Sequence, residues 1–141
     1  MADTGLTLAE WRAGAPELAE EVAEDWSLQL GEEYVPGVCG HVVRAELPDG
    51  TPAVLKVYWP HRESLQEADA LERWDGEGAV RLLAHDAERS ALLLERCEPG
   101  AFLTSAGSEA ALDVLAGLLP RNWKSASAPS HAVRPPGARK R

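Results

Sequence analysis

The chain has 141 residues, enough for one domain of ordinary size and too few for two substantial ones. Its net charge of −9 is unevenly spread: all 23 acidic residues lie at or before Asp113, whereas six of the 14 basic ones lie at or after Arg121. The acidic body argues against duplex DNA or an anionic membrane as main partner, and two cysteines without a CxxC or a Cys/His cluster signal neither a disulfide framework nor a structural zinc site.

From Thr7 to about Leu28, apolar residues recur at helical spacing (Leu8, Trp11, Leu18, Val22, Trp26) with an interruption at Gly14-Ala15-Pro16, which predicts two short helices or one bent one. No basic region leads into an apolar run and no 18-residue apolar stretch occurs, so a cytoplasmic protein with Cys39 and Cys97 as reduced thiols is expected. A glycine- and valine-bearing section follows from Leu28, and Val42 to Leu47 reads as a strand ended by the turn Pro48-Asp49-Gly50. Ala53-Val54-Leu55-Lys56-Val57-Tyr58-Trp59 is the clearest strand, paired with its predecessor as an antiparallel hairpin. His61 to Trp74 reads as a helix with Leu65, Ala68 and Leu71 on one side, closed by Asp75-Gly76. Val80 to His85 and Ala91 to Arg96 predict two further strands, and Glu109 to Leu119 one more helix stopped by Pro120. From Asn122 onward the Ser, Ala, Pro and basic composition predicts a disordered tail.

Within this order, Lys56 is a cation inside an apolar run. Period two places Leu55 and Val57 on one pleat face and Val54 and Lys56 on the other, although a lysine on the solvent face of an edge strand gives the same pattern. Glu63, Glu67, Asp69 and Glu72 on the next helix are candidate partners, and Glu67, between Leu65 and Ala68, best shares the inward face. Gly37 and Gly40, in Pro36-Gly37-Val38-Cys39-Gly40 between the first two strands, let backbone N–H groups approach an anion; a plain turn with structural glycines fits equally. There is no GxxxxGK[ST] run, so a P-loop enzyme is not indicated.

The element order, with a lysine on the third strand and a glutamate on the following helix, is that of a kinase small lobe. Asp49 to Val57, Glu67-Ala68-Asp69-Ala70-Leu71, Trp74-Asp75-Gly76, Gly78 to Leu83 and Ala91 to Cys97 resemble the aminoglycoside/hydroxyurea resistance kinases, a likeness running from about Trp26 to Leu119. The resemblance implies an α+β fold: a five-stranded antiparallel sheet with one packed helix, preceded by helices and followed by the first helix of a large lobe. It divides the chain into residues 1–27, a nucleotide-binding lobe over 28–98, a hinge and helix over 99–120, and a basic tail over 121–141.

By the same resemblance, the activity is transfer of the γ-phosphoryl group of ATP, with magnesium, to a hydroxyl of an aminoglycoside or similar antibiotic. Lys56 contacts phosphates, Glu67 holds it, and Gly37 and Gly40 cover the nucleotide. Glu95 and Cys97 bond adenine through hinge backbone, a role consistent with Cys97 as a small buried residue. The family's catalytic HGD-type loop is missing: none of His41, His61, His85 and His131 is followed by Gly-Asp, and no acidic residue follows Asp113. The expectation is a truncated chain that binds ATP weakly or not at all, without a catalytic or metal-holding residue of its own. Its partner would be a small-molecule nucleotide, with the antibiotic acceptor only if a large lobe is supplied, and neither nucleic acid nor membrane. The alternative is a non-catalytic small-lobe interaction module; a weaker one is an acidic protein whose kinase likeness is accidental, which separation of Lys56 from Glu67 would support.

Overall fold

A computed structural model describes residues 5–61 and 64–123. The elements in chain order are α1 (Leu8–Asp25), β1 (Gln29–Glu33), β2 (Gly40–Glu46), β3 (Pro52–Tyr58), α2 (Glu67–Trp74), β4 (Leu82–Asp86), β5 (Ala91–Glu95) and α3 (Ser108–Asn122), with 3₁₀ turns at Ser64–Gln66 and Leu103–Ala106. The strands form one antiparallel sheet of five in the order β1-β2-β3-β5-β4, the expected α+β architecture.

The hairpin joining β2 and β3 is set by local chemistry. Asp49 Oδ1 accepts the Thr51 N–H at 2.9 Å, Gly50 takes φ +86°, and Leu47 N–H bonds Thr51 O at 2.9 Å. Register follows, with Val42 opposite Lys56 and Ala45 opposite Ala53, and β5 lies on the other side of β3 with Leu92 opposite Lys56. Period two then separates two apolar faces. Leu55, Val57, Ala84 and Leu93 meet Trp11, Ala15, Ala19, Val22 and Trp26 of the N-terminal segment. On the opposite face, Tyr58, Leu82 and Leu92 meet Ala68 and Leu71 of α2, with Trp74 and Val80 packed beside them.

Several boundaries differ from the sequence reading, most of all those of the helices. The N-terminal segment is one helix of 18 residues running through Pro16, opened by a capping box in which Thr7 accepts from Glu10 N–H and Glu10 accepts from Thr7 N–H. Pro16 and Arg12, four residues before it, are both exposed, so the carbonyl that loses its helical partner faces water while Trp11, Ala15 and Ala19 hold the other side. Pro120 likewise does not end α3: it is exposed, and the helix runs on to Asn122. Asn122 O accepts from Trp74 Nε1 at 2.9 Å, and its side-chain amide, oriented by its surroundings, donates to Glu77 O and Gly78 O. This docking holds the last turn against α2. The helix predicted from His61 begins only at Glu67, preceded by a 3₁₀ turn in which Leu65 is 38% exposed rather than inward-facing.

β4 starts at Leu82, two residues later than predicted: the Arg81 N–H is taken by the Glu95 carboxylate instead of a strand carbonyl, and Val80 packs beside Ala68 and Leu71 of α2. The tail expectation for residues 124–141 lies outside the described residues, as does Glu63; Arg121 and Asn122, placed in that tail, are the end of α3. No helix among the described residues is long and apolar enough to cross a membrane.

The end of α1 is pinned to the β4–β5 turn by Arg89, whose guanidinium lies 2.6 Å from Asp25 Oδ2 and 2.7 Å from Asp86 Oδ2. Burial pushes the Asp86 carboxyl up. The Arg89 backbone and side-chain hydrogen bonds, its charge and the Glu88 N–H together outweigh burial and hold Asp86 below the ordinary carboxylate value. A lowered folded-state pKa adds stability that is present above the unfolded value, about 3.9, and is lost as pH falls through the folded one. Asp86→Asn is therefore expected to lower the urea midpoint at pH 7 and to approach the parent as pH drops below about 4. An equal deficit at pH 7 and pH 2.5 would rule the linkage out.

Candidate functional site

Lys56 lies on β3, an inner strand with β2 and β5 on either side, so the solvent-edge interpretation of the lysine does not hold. Its pleat face looks toward α2, and Nζ donates to both carboxylate oxygens of Glu67 at 2.8 Å. The side chains are 26% and 30% exposed, which places the pair at the wall of a cleft rather than inside the core. Glu67 is the first residue of α2, where the helix dipole favours a carboxylate. Asp69 and Glu72 lie further along the helix.

Residues 34–39 connect β1 to β2 and rise over this pair. The loop is held by three hydrogen bonds, each of 2.9 Å: Tyr34 N–H donates to Val42 O, Arg12 Nη2 of α1 donates to Gly37 O, and Cys39 O accepts the Trp59 N–H. Under it lies a cleft of about 470 Å³ lined by Gly37, Gly40, Lys56, Tyr58, His61 and Glu67, among others. A Cβ on Gly40 would stand 3.4 Å from Lys56 Cε, ordinary van der Waals contact with the end of a flexible side chain, so a methyl group fits here and only a larger side chain would intrude between loop and lysine. Gly40→Val is expected to fill this space and weaken any ligand held between loop and lysine by roughly tenfold, about 1.4 kcal/mol, with the thermal midpoint little changed. Titration calorimetry beside a thermal melt checks both halves.

Tyr58 forms the floor. Burial keeps its phenol neutral, aided by the Glu67 and Asp86 charges against a weaker lowering by a Ser90 hydrogen bond.

The hinge residues sit elsewhere. Glu95 closes β5, with its N–H on Arg81 O and its carboxylate accepting the Arg81 N–H, both at 2.9 Å. An adenine contact from Glu95 backbone would thus have to come from its carbonyl. Arg96 turns inward, donating to Ala53 O at 3.1 Å and to Ala45 O, and so ties the ends of β2 and β3 to the segment after β5. Cys97 is exposed, which corrects its reading as a small buried residue. Glu95 and Cys97 line a second cavity, of about 730 Å³, with Gly78 and Arg121, and this cavity shares no lining residue with the first. Lys56, Glu67, Gly37 and Gly40 are thus brought together, whereas Glu95 is three residues along the β3 ladder from Lys56, roughly 10 Å at strand rise.

Tyr58, Val42, His61 and Ser64 also line the cleft but were not singled out from the sequence. Val42 and Tyr58 share the pleat parity of Lys56 once the hairpin register is known, so a signal for them existed. His61 and Ser64 carry none. For magnesium the fit is poor: no three His, Cys, Asp or Glu side chains group together among the described residues, and both oxygens of Glu67 are engaged by Lys56.

An antiparallel sheet of five strands, a lysine on its third strand clasped by the helix that follows, and a glycine-bearing loop overhead define a domain of the kinase small-lobe type. The family described as aminoglycoside/hydroxyurea antibiotic resistance kinase matches residues 25–137, and the chain belongs to it. It is similar to a streptomycin 6-kinase of Streptomyces glaucescens, with 40% identity over 112 residues covering 79% of this chain and 36% of that protein. A streptomycin 6-kinase of Streptomyces griseus is 38% identical over 131 residues, covering 92% and 40% respectively. A hydroxyurea phosphotransferase of Kitasatospora aureofaciens is 39% identical over 120 residues, covering 83% and 35%. The chain thus spans between 35% and 40% of the length of these relatives. No solved structure matches.

Proposed function

We propose that this chain is the ATP-binding part of a phosphotransferase whose acceptor is a hydroxyl of an aminoglycoside or a similar small antibiotic, acting in the cytoplasm. The observation that supports it most directly is the bidentate Lys56–Glu67 pair under the glycine loop. On this reading Lys56 holds the phosphates, Glu67 fixes the rotamer of Lys56, and backbone N–H groups near Gly37 and Gly40 face the anion. The segment from Glu95 to Glu98 carries the adenine end. Magnesium would come with the nucleotide as its counter-ion, since no group of described side chains is placed to hold it. The names of the relatives, streptomycin 6-kinase and hydroxyurea phosphotransferase, support the choice of acceptor class. Transfer itself would draw on portions of the fold that correspond to the relatives' remaining length.

The test is calorimetric titration of the folded chain with ATP and magnesium. Saturable binding with one site is expected. A folded chain that takes up no heat from ATP would instead favour a non-catalytic module, a reading that the exposed apolar residues Phe102, Leu112, Leu119 and Trp123 also favour, at 80%, 66%, 66% and 87% exposure.

A further inference from the structure

The cleft that would receive a polyphosphate carries little net positive charge, because its lysine is already neutralised by Glu67 at 2.8 Å. The body around it is acidic. A phosphate chain placed there therefore calls for another cation, and one lining residue can become one. His61 lines the same cleft, on the connection between β3 and α2.

Its ring is held in one orientation. Nδ1 lies 2.8 Å from Trp59 O, and since a carbonyl only accepts, Nδ1 carries the proton. The ring stacks on Trp59, with centroids 6.1 Å apart and planes at 23°. Its backbone is fastened by Ser64, which is 7% exposed: Ser64 Oγ accepts the His61 N–H at 3.0 Å and lies within donating distance of Trp59 O and His61 O. Hence Nε2 is the basic nitrogen of the neutral ring, and no described residue bonds it.

We propose that His61, protonated at Nε2, is a second phosphate-binding group of the cleft, so that polyphosphate binding takes up a proton at this ring. The titratable and charged groups facing it are Lys56 and Tyr58 from β3, Glu67 from α2 and Cys39 from the loop above. Lys56 and Glu67 cancel one another and Tyr58 stays neutral, so an incoming anion sets the balance. A phosphate at hydrogen-bonding distance from an imidazole favours its charged form.

This inference rests on the nucleotide reading of the cleft and refines it. The experiment is calorimetric titration with inorganic triphosphate and with ATP from pH 5.5 to pH 8, on the parent chain, His61→Gln and Lys56→Ala, with the His61 ring signals followed by proton NMR. Because the ligand also titrates, the informative quantity is the ratio of parent to His61→Gln affinity. That ratio is expected to be about five- to tenfold at pH 5.5 and to approach unity by pH 8, with the His61 ring titrating at higher pH once ligand is bound. Binding that depends on Lys56 while the ratio stays flat and the ring signals do not respond would overturn the role of His61 and leave the nucleotide reading standing. Absence of saturable binding at every pH would overturn both.

Discussion

Lys56→Ala is expected to weaken ATP binding by about 30-fold or more, the equivalent of at least about 2 kcal/mol, because it acts twice. It removes the cation that the phosphates would meet, and it leaves the Glu67 carboxylate, now without its two hydrogen bonds, facing the incoming anion. Glu67→Gln keeps the cation and the shape of the helix start, so its effect is expected to be several-fold smaller. The two variants should not differ in the same order for folding: both partners are more than a quarter exposed, and solvent screening limits what such a pair contributes to stability to about 1 kcal/mol or less. Titration calorimetry for affinity and urea unfolding for stability separate the two quantities. Unchanged ATP affinity in a folded Lys56→Ala chain would exclude the cleft as the phosphate site.

A larger change in stability is expected from Trp26→Ala. Trp26 stands at the end of α1, is 3% exposed, and packs in one cluster with Val22 of the helix and Leu55, Val57 and Leu93 of the sheet. Truncating a buried tryptophan costs about 3–5 kcal/mol, a large share of the 5–15 kcal/mol that typically holds a domain together. The urea midpoint should fall accordingly. Trp123→Ala provides the contrast, since Trp123 is 87% exposed and its loss is expected to stay within about 0.5 kcal/mol. A mild effect at Trp26 would mean that α1 is an appendage; a severe one would show it to be half of the core, as its packing requires.

Local chemistry made much of the domain legible beforehand. The β-rich run around Lys56, the Asp49-Gly50 turn that sets the hairpin, and the left-handed Asp75 with Gly76 ending α2 each depend on a few adjacent residues, and each lies where the sequence placed it. Period two likewise put Lys56 on the pleat face opposite Leu55, and the string of matched segments pointed to the family. Proline was misleading for the same local reason. At Pro16 and Pro120 the sequence gives the loss of a hydrogen bond but not the exposure that lets water satisfy the freed carbonyl, nor the packing of Ala15 and the docking of Asn122 that hold the helices through those positions.

What the sequence determined by itself was therefore the element order, the hairpin and the face on which Lys56 projects, because those follow from backbone preferences and side-chain alternation over a few residues. Glu67 was already singled out in the sequence as the carboxylate to meet that lysine, whereas the bidentate geometry of their contact, how Arg12 reaches the carbonyl of Gly37, how Arg96 reaches that of Ala45, and how Trp59 orients His61 were decided only by the tertiary structure. The lysine and its partner are 11 residues apart, and Arg96 is 51 residues from Ala45. Contacts at such separations exist only after the sheet and its two covering helices have brought those atoms into one space.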